Sequence, residues 1–131
     1  MSMRNNIHTG APWEAKVGYC RAVRVGPHIA VSGTAPVDED GAVVAPGDAY
    51  LQAKRCIEII EGSLQEAGAE LRHVVRTRMF VTDISQWAEI GKAHREAFGD
   101  INPATSMVEV SKLIDPAMLV EIEADAIVEE A

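Results

Sequence analysis

The chain has 131 residues, of which 47% are apolar and 24% charged, the balance of a folded globular domain rather than a disordered segment. Asp and Glu number 20 against 12 Lys and Arg, so the net charge is −8, which disfavours nucleic acid because phosphate binding requires clustered cations. No apolar run approaches the ~18 residues of a membrane span, and the N-terminus lacks the apolar core of a signal peptide. We therefore expect one cytoplasmic domain over residues 1–131, with no nucleic-acid or membrane partner.

The first predicted unit is a β-hairpin over residues 19–33. Its strands, Tyr19–Val25 and His28–Ser32, are rich in β-branched and aromatic residues, and Gly26-Pro27 supplies the turn between them. The following segment, residues 35–47, holds two prolines, three acids and two glycines. This composition predicts a loop, in which residues 42–44 could form a short edge strand.

Two helices are predicted on either side of a third strand. The first begins near Asp48, a suitable N-cap, and ends at Gly68, and apolar residues recur between them at three- and four-residue steps. Residues 73–81 alternate in the manner of a strand. Asp83, with Gln86 three residues later, resembles the capping box of a second helix that ends at Gly99. The expected apolar stripe of this helix consists of Trp87, Ile90, His94, Ala97 and Phe98.

The last two strands are predicted at residues 105–110 and 119–128. Hairpin, helix, strand, helix and two final strands predict an α+β sandwich, with two helices covering one face of a mixed sheet of about five to six strands. In the final strand small or branched apolar residues alternate with acids, which predicts an apolar and a charged sheet face. The apolar set is Val120, Ile122, Ala124 and Ala126, and the acidic set is Glu121, Glu123 and Asp125.

The charged sheet face is the first candidate site. Glu121 and Glu123 project to the same side of their strand. Neighbouring acids raise each other's pKa and can furnish a general acid or a base that positions water; alternatively, both are ion partners of Arg76 and Arg78. The face itself is either solvated or packed against another subunit, and composition leaves both open. Strand positions of similar mixed character are Arg76, Arg78, Thr105, Met107 and Glu109.

The sequence predicts neither a metal nor an organic cofactor. Cys20 and Cys56 lie far apart, without a CxxC motif, and are read as buried thiols. No histidine pair has the helical spacing of a zinc site. Ser32 lacks a GxSxG frame, and no GxGxxG motif occurs.

A set of short motifs extends over nearly the whole chain. They are Gly18-Tyr19, Arg21-Ala22-Val23, Ile29–Gly33, Ala67-Gly68-Ala69, Val74–Thr77, Phe80–Asp83, Pro103–Ser106, Val108-Glu109-Val110 and Val120–Ala124. In this order they resemble the Rid/YjgF family, the reactive-intermediate deaminases also described as L-PSP endoribonuclease-like proteins. The resemblance implies a chorismate-mutase-like subunit and a homotrimer with the sheets inside. It also implies small ligands bound in clefts between subunits, where catalytic members hydrolyse a reactive enamine or imine to a ketone acid and ammonia.

The resemblance also implies roles for individual residues. Tyr19 matches the family's pocket tyrosine, and Ser32 and Gly33 match its Ser-Gly corner. Glu121 matches the glutamate that holds the water. In the family an arginine after Pro-Ala clamps the substrate carboxylate, but here Thr105 occupies that position, as in an arginine-lacking branch.

A threonine hydroxyl brings no charge to a carboxylate, and charge-assisted hydrogen bonds are roughly twice as strong as neutral ones. Arg21 is expected on the same strand face as Tyr19. It either supplies a displaced guanidinium or pairs with an acid at the trimer interface, and Met107 is a further candidate wall residue.

The leading function is therefore a trimer that binds a small metabolite and could hydrolyse it. The alternatives are a non-catalytic binding or interaction protein and, less favoured by the charge, an endoribonuclease.

Overall fold

The computed structural model describes residues 4–129, which form one mixed sheet with three helices. The strands are β1 (Arg4–Ile7), β2 (Ala22–Val25), β3 (His28–Thr34), β4 (Val74–Val81), β5 (Ala104–Glu109) and β6 (Val120–Ile127). The helices are α1 (Pro12–Val17), α2 (Ala49–Glu66) and α3 (Trp87–Phe98). The predicted α+β class is confirmed.

The order of the strands determines which residues become neighbours. The sheet runs β1-β2-β3-β6-β4-β5, so the last strand of the chain is inserted between β3 and β4. Every adjacent pair is antiparallel except β4 and β5, which are parallel because α3 carries the chain back between them. As a result β6 lies beside the Ser32-Gly33 corner of β3.

The core fills the space between the sheet and the helices α2 and α3. The apolar residues of β6 and the inward stripe of α2 are almost completely buried, as the alternation and the helical spacing predict. Burying each large aliphatic side chain contributes about 1.5–3 kcal/mol, so this layer provides much of the driving force for folding. Members with no more than 1% exposure include Val120, Ile122, Ala124, Ala126, Ala53, Cys56, Ile60 and Leu64.

The ends of α2 follow the predicted capping chemistry. The side chain of Asp48 accepts a hydrogen bond from the amide of Leu51 at 2.9 Å, which satisfies one of the free N–H groups of the first turn of α2. Gly68 follows the helix with φ +83°, a conformation that glycine adopts without steric penalty. Asp83 does not cap α3 directly, as predicted, but accepts from the amide of Ser85 and begins a short 3-10 turn, Ile84–Gln86. This turn leads into α3, which begins at Trp87 without a side-chain cap.

Two elements near the N-terminus were not predicted. β1 has a polar sequence of low strand propensity, and its pairing with β2 supplies the missing stabilisation. α1 begins with Pro12 at its first turn and ends at Gly18, which has φ +90°. Because Gly18 turns the chain, Tyr19 and Arg21 precede β2, whose first residue is Ala22 rather than Tyr19.

Three smaller expectations were wrong. Residues 42–44 form no strand, and Val43 makes only an isolated bridge with Val37. Trp87 does not belong to the buried stripe of α3 but is 63% exposed, because the helix only begins there. Strict alternation predicts that Val75 shares one face of β4 with Thr77, Met79 and Val81, but a register shift between Val74 and Arg76 buries Val74 and exposes Val75.

Across residues 4–129, no helix combines the length and the apolar character needed to cross a membrane.

Candidate functional site

The sheet face opposite α2 and α3, here called the open face, carries the acids of β6. Arg78 Nη1 lies 3.1 Å from Asp125 Oδ2 and 3.4 Å from Glu123 Oε1. Glu123 is therefore engaged in an ion pair, as one of the two sequence interpretations holds. Glu121 makes no such pair with Arg78, although it projects from the same strand. The two glutamates thus have different surroundings.

The carboxylate of Glu121 packs closely against the backbone of Gly33. β3 carries an irregularity between Val31 and Thr34, and this places Gly33 beside the carboxylate. A Cβ atom on Gly33 would lie 2.6 Å from Glu121 Oε2, well inside van der Waals contact. Only glycine leaves the carboxylate its present position, which explains why this residue type stands at the corner.

The surroundings of Glu121 shift its pKa upward. Burial raises its pKa, Arg21 opposes this, and Glu123 raises it further. Among residues 4–129 no hydrogen bond reaches its carboxylate. A partly buried carboxylate without a donor and with a raised pKa is suited to hold a water molecule and to accept a proton from it.

Arg21 lies beside this carboxylate and is only 9% exposed. Its Nη2 donates to the carbonyl of Gly33 at 2.9 Å, and its Nη1 lies 3.4 Å from the hydroxyl of Thr34. Its guanidinium carbon is 5.5 Å from the centroid of the Tyr19 ring, within cation–π range. Arg21 therefore fixes the backbone of Gly33, against which Glu121 packs, and its positive charge favours the ionised form of Glu121.

Glu14 of α1 is a buried partner of Arg21 that sequence reasoning missed. It is 4% exposed, its Oε2 lies 3.9 Å from Arg21 Nε, and it accepts hydrogen bonds from the amide and the hydroxyl of Thr9. Burial alone would raise the pKa of Glu14, but Thr9, His8 and Arg21 together lower it. Pro12 ahead of an acid, with Gly18 one short helix later, is the signal that could have revealed α1. Arg21 thus pairs with an acid within its own subunit.

Tyr19 and Ser32 line an adjoining pocket of about 380 Å³ on the side of β1. The hydroxyl of Ser32 donates to the carbonyl of Cys20 at 2.6 Å, so this side chain fixes the chain leading into β2. The single chain therefore brings together Tyr19, Arg21, Ser32, Gly33 and Glu121. The remaining pocket walls are Arg4, Asn6, His8, Glu14, Gly18, Cys20 and Val23.

Thr105 and Met107 lie elsewhere in the single chain. β5 is the edge strand beyond β4, two strands or roughly 10 Å from β6. In the parallel register, Thr105 lies opposite Thr77 and Met107 lies opposite Met79. Thr77 and Met79 are on the side of the sheet that the helices cover, so Thr105 and Met107 are on that side too. The expectation that they share the charged face with Glu121 was therefore wrong. Met107 packs against the core, and Thr105 is exposed. A site that includes these two residues with Glu121 requires a second copy of the chain.

The donor chemistry of the described residues offers no metal centre. Within residues 4–129, no group of three or more His, Cys, Asp or Glu side chains is arranged to hold a metal ion. Both described cysteines are buried, and burial raises the pKa of the Cys56 thiol, which keeps it protonated.

Comparisons with known proteins agree over nearly the whole chain. The model of the family described as "Endoribonuclease L-PSP" matches residues 9–128. A RutC family protein of Pyrococcus abyssi is 39% identical over 108 residues, 82% of this chain and 84% of that protein. The 3-aminoacrylate deaminase RutC of Acinetobacter baylyi is 34% identical over 104 residues, 79% of this chain and 82% of that protein.

Solved structures extend the agreement to three dimensions. A crystal structure from Mycobacterium tuberculosis, described as a member of the YjgF/YER057c/UK114 family, has a TM-score of 0.87 and 49% sequence identity, covering 95% of this chain and 99% of that one. The family match, the structural similarity and the sequence identity point the same way, and the chain belongs to the YjgF/RutC family.

Proposed function

We propose that the protein hydrolyses reactive imines or enamines of small metabolites in clefts between the subunits of a homotrimer. The observation that carries this proposal is the carboxylate of Glu121, which packs against Gly33, receives no hydrogen bond from residues 4–129, and has a pKa raised by burial. The name of the 3-aminoacrylate deaminase from Acinetobacter baylyi supports an imine or enamine as substrate.

The chemistry requires one base and one water molecule. Glu121 accepts a proton as the water oxygen bonds to the imine carbon, and the carbon–nitrogen double bond becomes a single bond. Returning that proton to nitrogen gives a carbinolamine. Its hydroxyl proton then moves to the nitrogen through Glu121 as the carbon–nitrogen bond breaks and the carbonyl forms, so the net reaction is imine plus water to carbonyl plus ammonia. A raised pKa suits both steps, because a carboxyl group whose pKa lies nearer the working pH is a stronger base and still exchanges its proton in both directions.

Arg21 is the positioning residue for this base. Its hydrogen bond to the Gly33 carbonyl holds the corner on which the Glu121 carboxylate lies, and its charge favours the ionised form. Glu14 in turn holds Arg21 from the α1 side. A neutral side chain at position 21 would leave Glu121 protonated over more of the pH range and slow the first proton transfer.

The open face supports the assembly. It combines the ion cluster of Arg78, Glu123 and Asp125 with apolar side chains such as Val25 and Val108, which are 47% and 46% exposed. A second subunit would cover these apolar side chains, and Thr105 of the edge strand β5 could reach a cleft that a neighbouring copy completes. Light scattering should give about 42 kDa, three times the 14.1 kDa of one chain; a mass near 14 kDa at micromolar concentration would overturn the trimer.

The activity is tested by ammonia release from imines generated in situ by an amino-acid oxidase. We expect a rate above that of buffer, and a loss of about 100-fold or more in Glu121→Gln, within the range that general-base catalysis contributes. Glu123→Gln, on the same strand and face, is the matched control and should retain the activity. Equal loss in both variants, with the trimer intact, would refute the role of Glu121.

A binding-only function is favoured by one observation. Thr105 offers a neutral hydroxyl, and both of its hydrogen-bond contacts in the described chain are with Thr77. If the wild-type protein releases no ammonia above the buffer rate from any imine, the binding function is the better account.

A further inference from the structure

A chain of side-chain hydrogen bonds connects α3 to the exposed edge of the sheet. Thr77 is fully buried, and its hydroxyl oxygen lies 2.8 Å from His94 Nε2 and 2.6 Å from the hydroxyl oxygen of Thr105. The Thr105 oxygen also lies 3.2 Å from the carbonyl oxygen of Thr77. The chain thus begins at a half-buried imidazole and ends at an exposed hydroxyl on β5.

Each hydroxyl has a single proton, so the chain has only two consistent directions. If His94 Nε2 is unprotonated, Thr77 donates to it and Thr105 donates to Thr77, which leaves Thr105 with only lone pairs facing outward. If Nε2 carries a proton, His94 donates to Thr77 and Thr77 donates to Thr105. The proton of Thr105 is then free for the Thr77 carbonyl or for a ligand.

His94 is held in the neutral form in which both directions are accessible. The Phe98 ring lies 4.7 Å from its own, and burial lowers its pKa. The two neutral tautomers differ only in which ring nitrogen holds the proton. Thr105 can therefore be switched between acceptor and donor without bringing a net charge to the edge of β5.

We propose that the Thr105 hydroxyl, oriented by Thr77 and His94, is the subsite for an uncharged group of the substrate that both donates and accepts hydrogen bonds, such as a carboxamide. This inference rests on the proposed function, since it names the class of substrate that the same cleft takes. Thr77 and His94 are positioning residues in it.

The selectivity follows from hydrogen-bond matching. A carboxylate only accepts, so it is satisfied in one of the two directions, and Thr105 offers it no positive charge to compensate for the hydration that it loses on binding. A carboxamide presents both an oxygen and an N–H group, so either direction of the chain satisfies it. We therefore expect preference for the amide over the acid.

The test compares pyruvamide with pyruvate, which differ only in this group, by NMR titration of the uniformly ¹⁵N-labelled protein. Pyruvamide should shift the backbone amide of Thr105 and the ring nitrogens of His94, and pyruvate should bind about tenfold more weakly, the scale of one hydrogen bond. The imidazole signature is decisive, because a hydroxyl that only stabilises the sheet would not transmit ligand binding to His94.

Matched variants separate the relay from general packing. Thr105→Ser retains the hydroxyl and should keep the preference, whereas Thr105→Val removes it and should abolish the preference. Thr77→Val keeps the shape but breaks the relay, so the His94 shift should disappear while Thr105 still responds.

Three outcomes would overturn the proposal: equal or tighter binding of pyruvate, binding of pyruvamide to Thr105→Val as to wild type, or no shift at Thr105 with either probe. Binding is measured here without turnover. A failure of this inference is therefore distinct from a failure of imine hydrolysis, which is judged by ammonia release.

Discussion

Replacing Glu14 tests how the buried pair of α1 supports the site. In Glu14→Ala, two hydrogen bonds from Thr9 to a carboxylate are lost, and Arg21 is left buried without its acid. Hydrogen bonds to charged groups contribute about 1.5–3 kcal/mol each, and breaking a buried ion pair costs about 3–5 kcal/mol. Because the nearest distance to Arg21 is 3.9 Å, the lower end applies, and we expect a loss of about 3 kcal/mol.

Glu14→Gln is the sharper variant, because it keeps the shape and removes only the charge. We expect a loss of about 1–2 kcal/mol in the free energy of unfolding, or roughly 3–8 °C in Tm for a chain of this size. Urea unfolding at fixed protein concentration, followed by circular dichroism, measures the global effect. The fluorescence of Trp13, the neighbour of Glu14 in α1, reports local fraying.

The pH dependence supplies the refutation. Since the pKa of Glu14 is lowered in the folded state, its contribution is present above the ordinary value of 4.5 and is lost as pH falls through the folded pKa. The gap between wild type and Glu14→Gln should therefore close on acidification. Glu66→Gln, an exposed acid at the end of α2, is the control. If Glu14→Gln unfolds at the same urea concentration as Glu66→Gln at pH 7, the reasoning fails.

Three further predictions concern the site. Gly33→Ala should fold with little loss of stability, because the carboxylate of Glu121 can move away from the new methyl group. Its rate of ammonia release should fall about tenfold or more, and a wild-type rate would contradict the placement of the Glu121 carboxylate against Gly33. Because burial raises the pKa of Glu121, Glu121→Gln should raise the urea midpoint of unfolding at pH 7.5. This gain in stability should shrink as the pH falls and be absent well below pH 4.5, the ordinary pKa value, and a gain that persists at low pH would point to another cause. Thr105→Arg should raise kcat/KM for carboxylate-bearing imines about tenfold or more, the scale of one charge-assisted hydrogen bond. The gain should be lost when Glu121→Ala is added, and a folded but inactive Thr105→Arg trimer would show that the cleft takes another class of ligand.

The fold was largely predictable because its main signals are local. The alternation of Val120–Ile127 and the capping residues Asp48 and Gly68 specify structure within a few positions, and all were confirmed. α1 is only six residues long, too short for periodicity to be visible, and β1 is a strand only because β2 pairs with it.

The site was predictable only in part, because it depends on register. Resemblance identifies Glu121 and Gly33 as site residues. The close packing of the two, which leaves no room for a Cβ atom on Gly33, follows from an irregularity in β3 that residue spacing in the sequence does not predict. The side of the sheet on which Thr105 lies depends on its parallel pairing with Thr77. The sequence places His94 only in the apolar stripe of a helix, because its contact with Thr77 joins residues that are 17 positions apart and lie on different elements.

The most direct test of Glu121 as the base is the pH profile of kcat/KM for ammonia release, corrected for the buffer rate at each pH. The wild-type profile should rise with pH along one limb, with an apparent pKa above 4.5, because burial disfavours the ionised carboxylate. Glu121→Gln should show a low, flat profile, while Glu123→Gln keeps the limb. A wild-type profile that coincides with that of Glu121→Gln, or a limb that survives the substitution, would contradict the assignment.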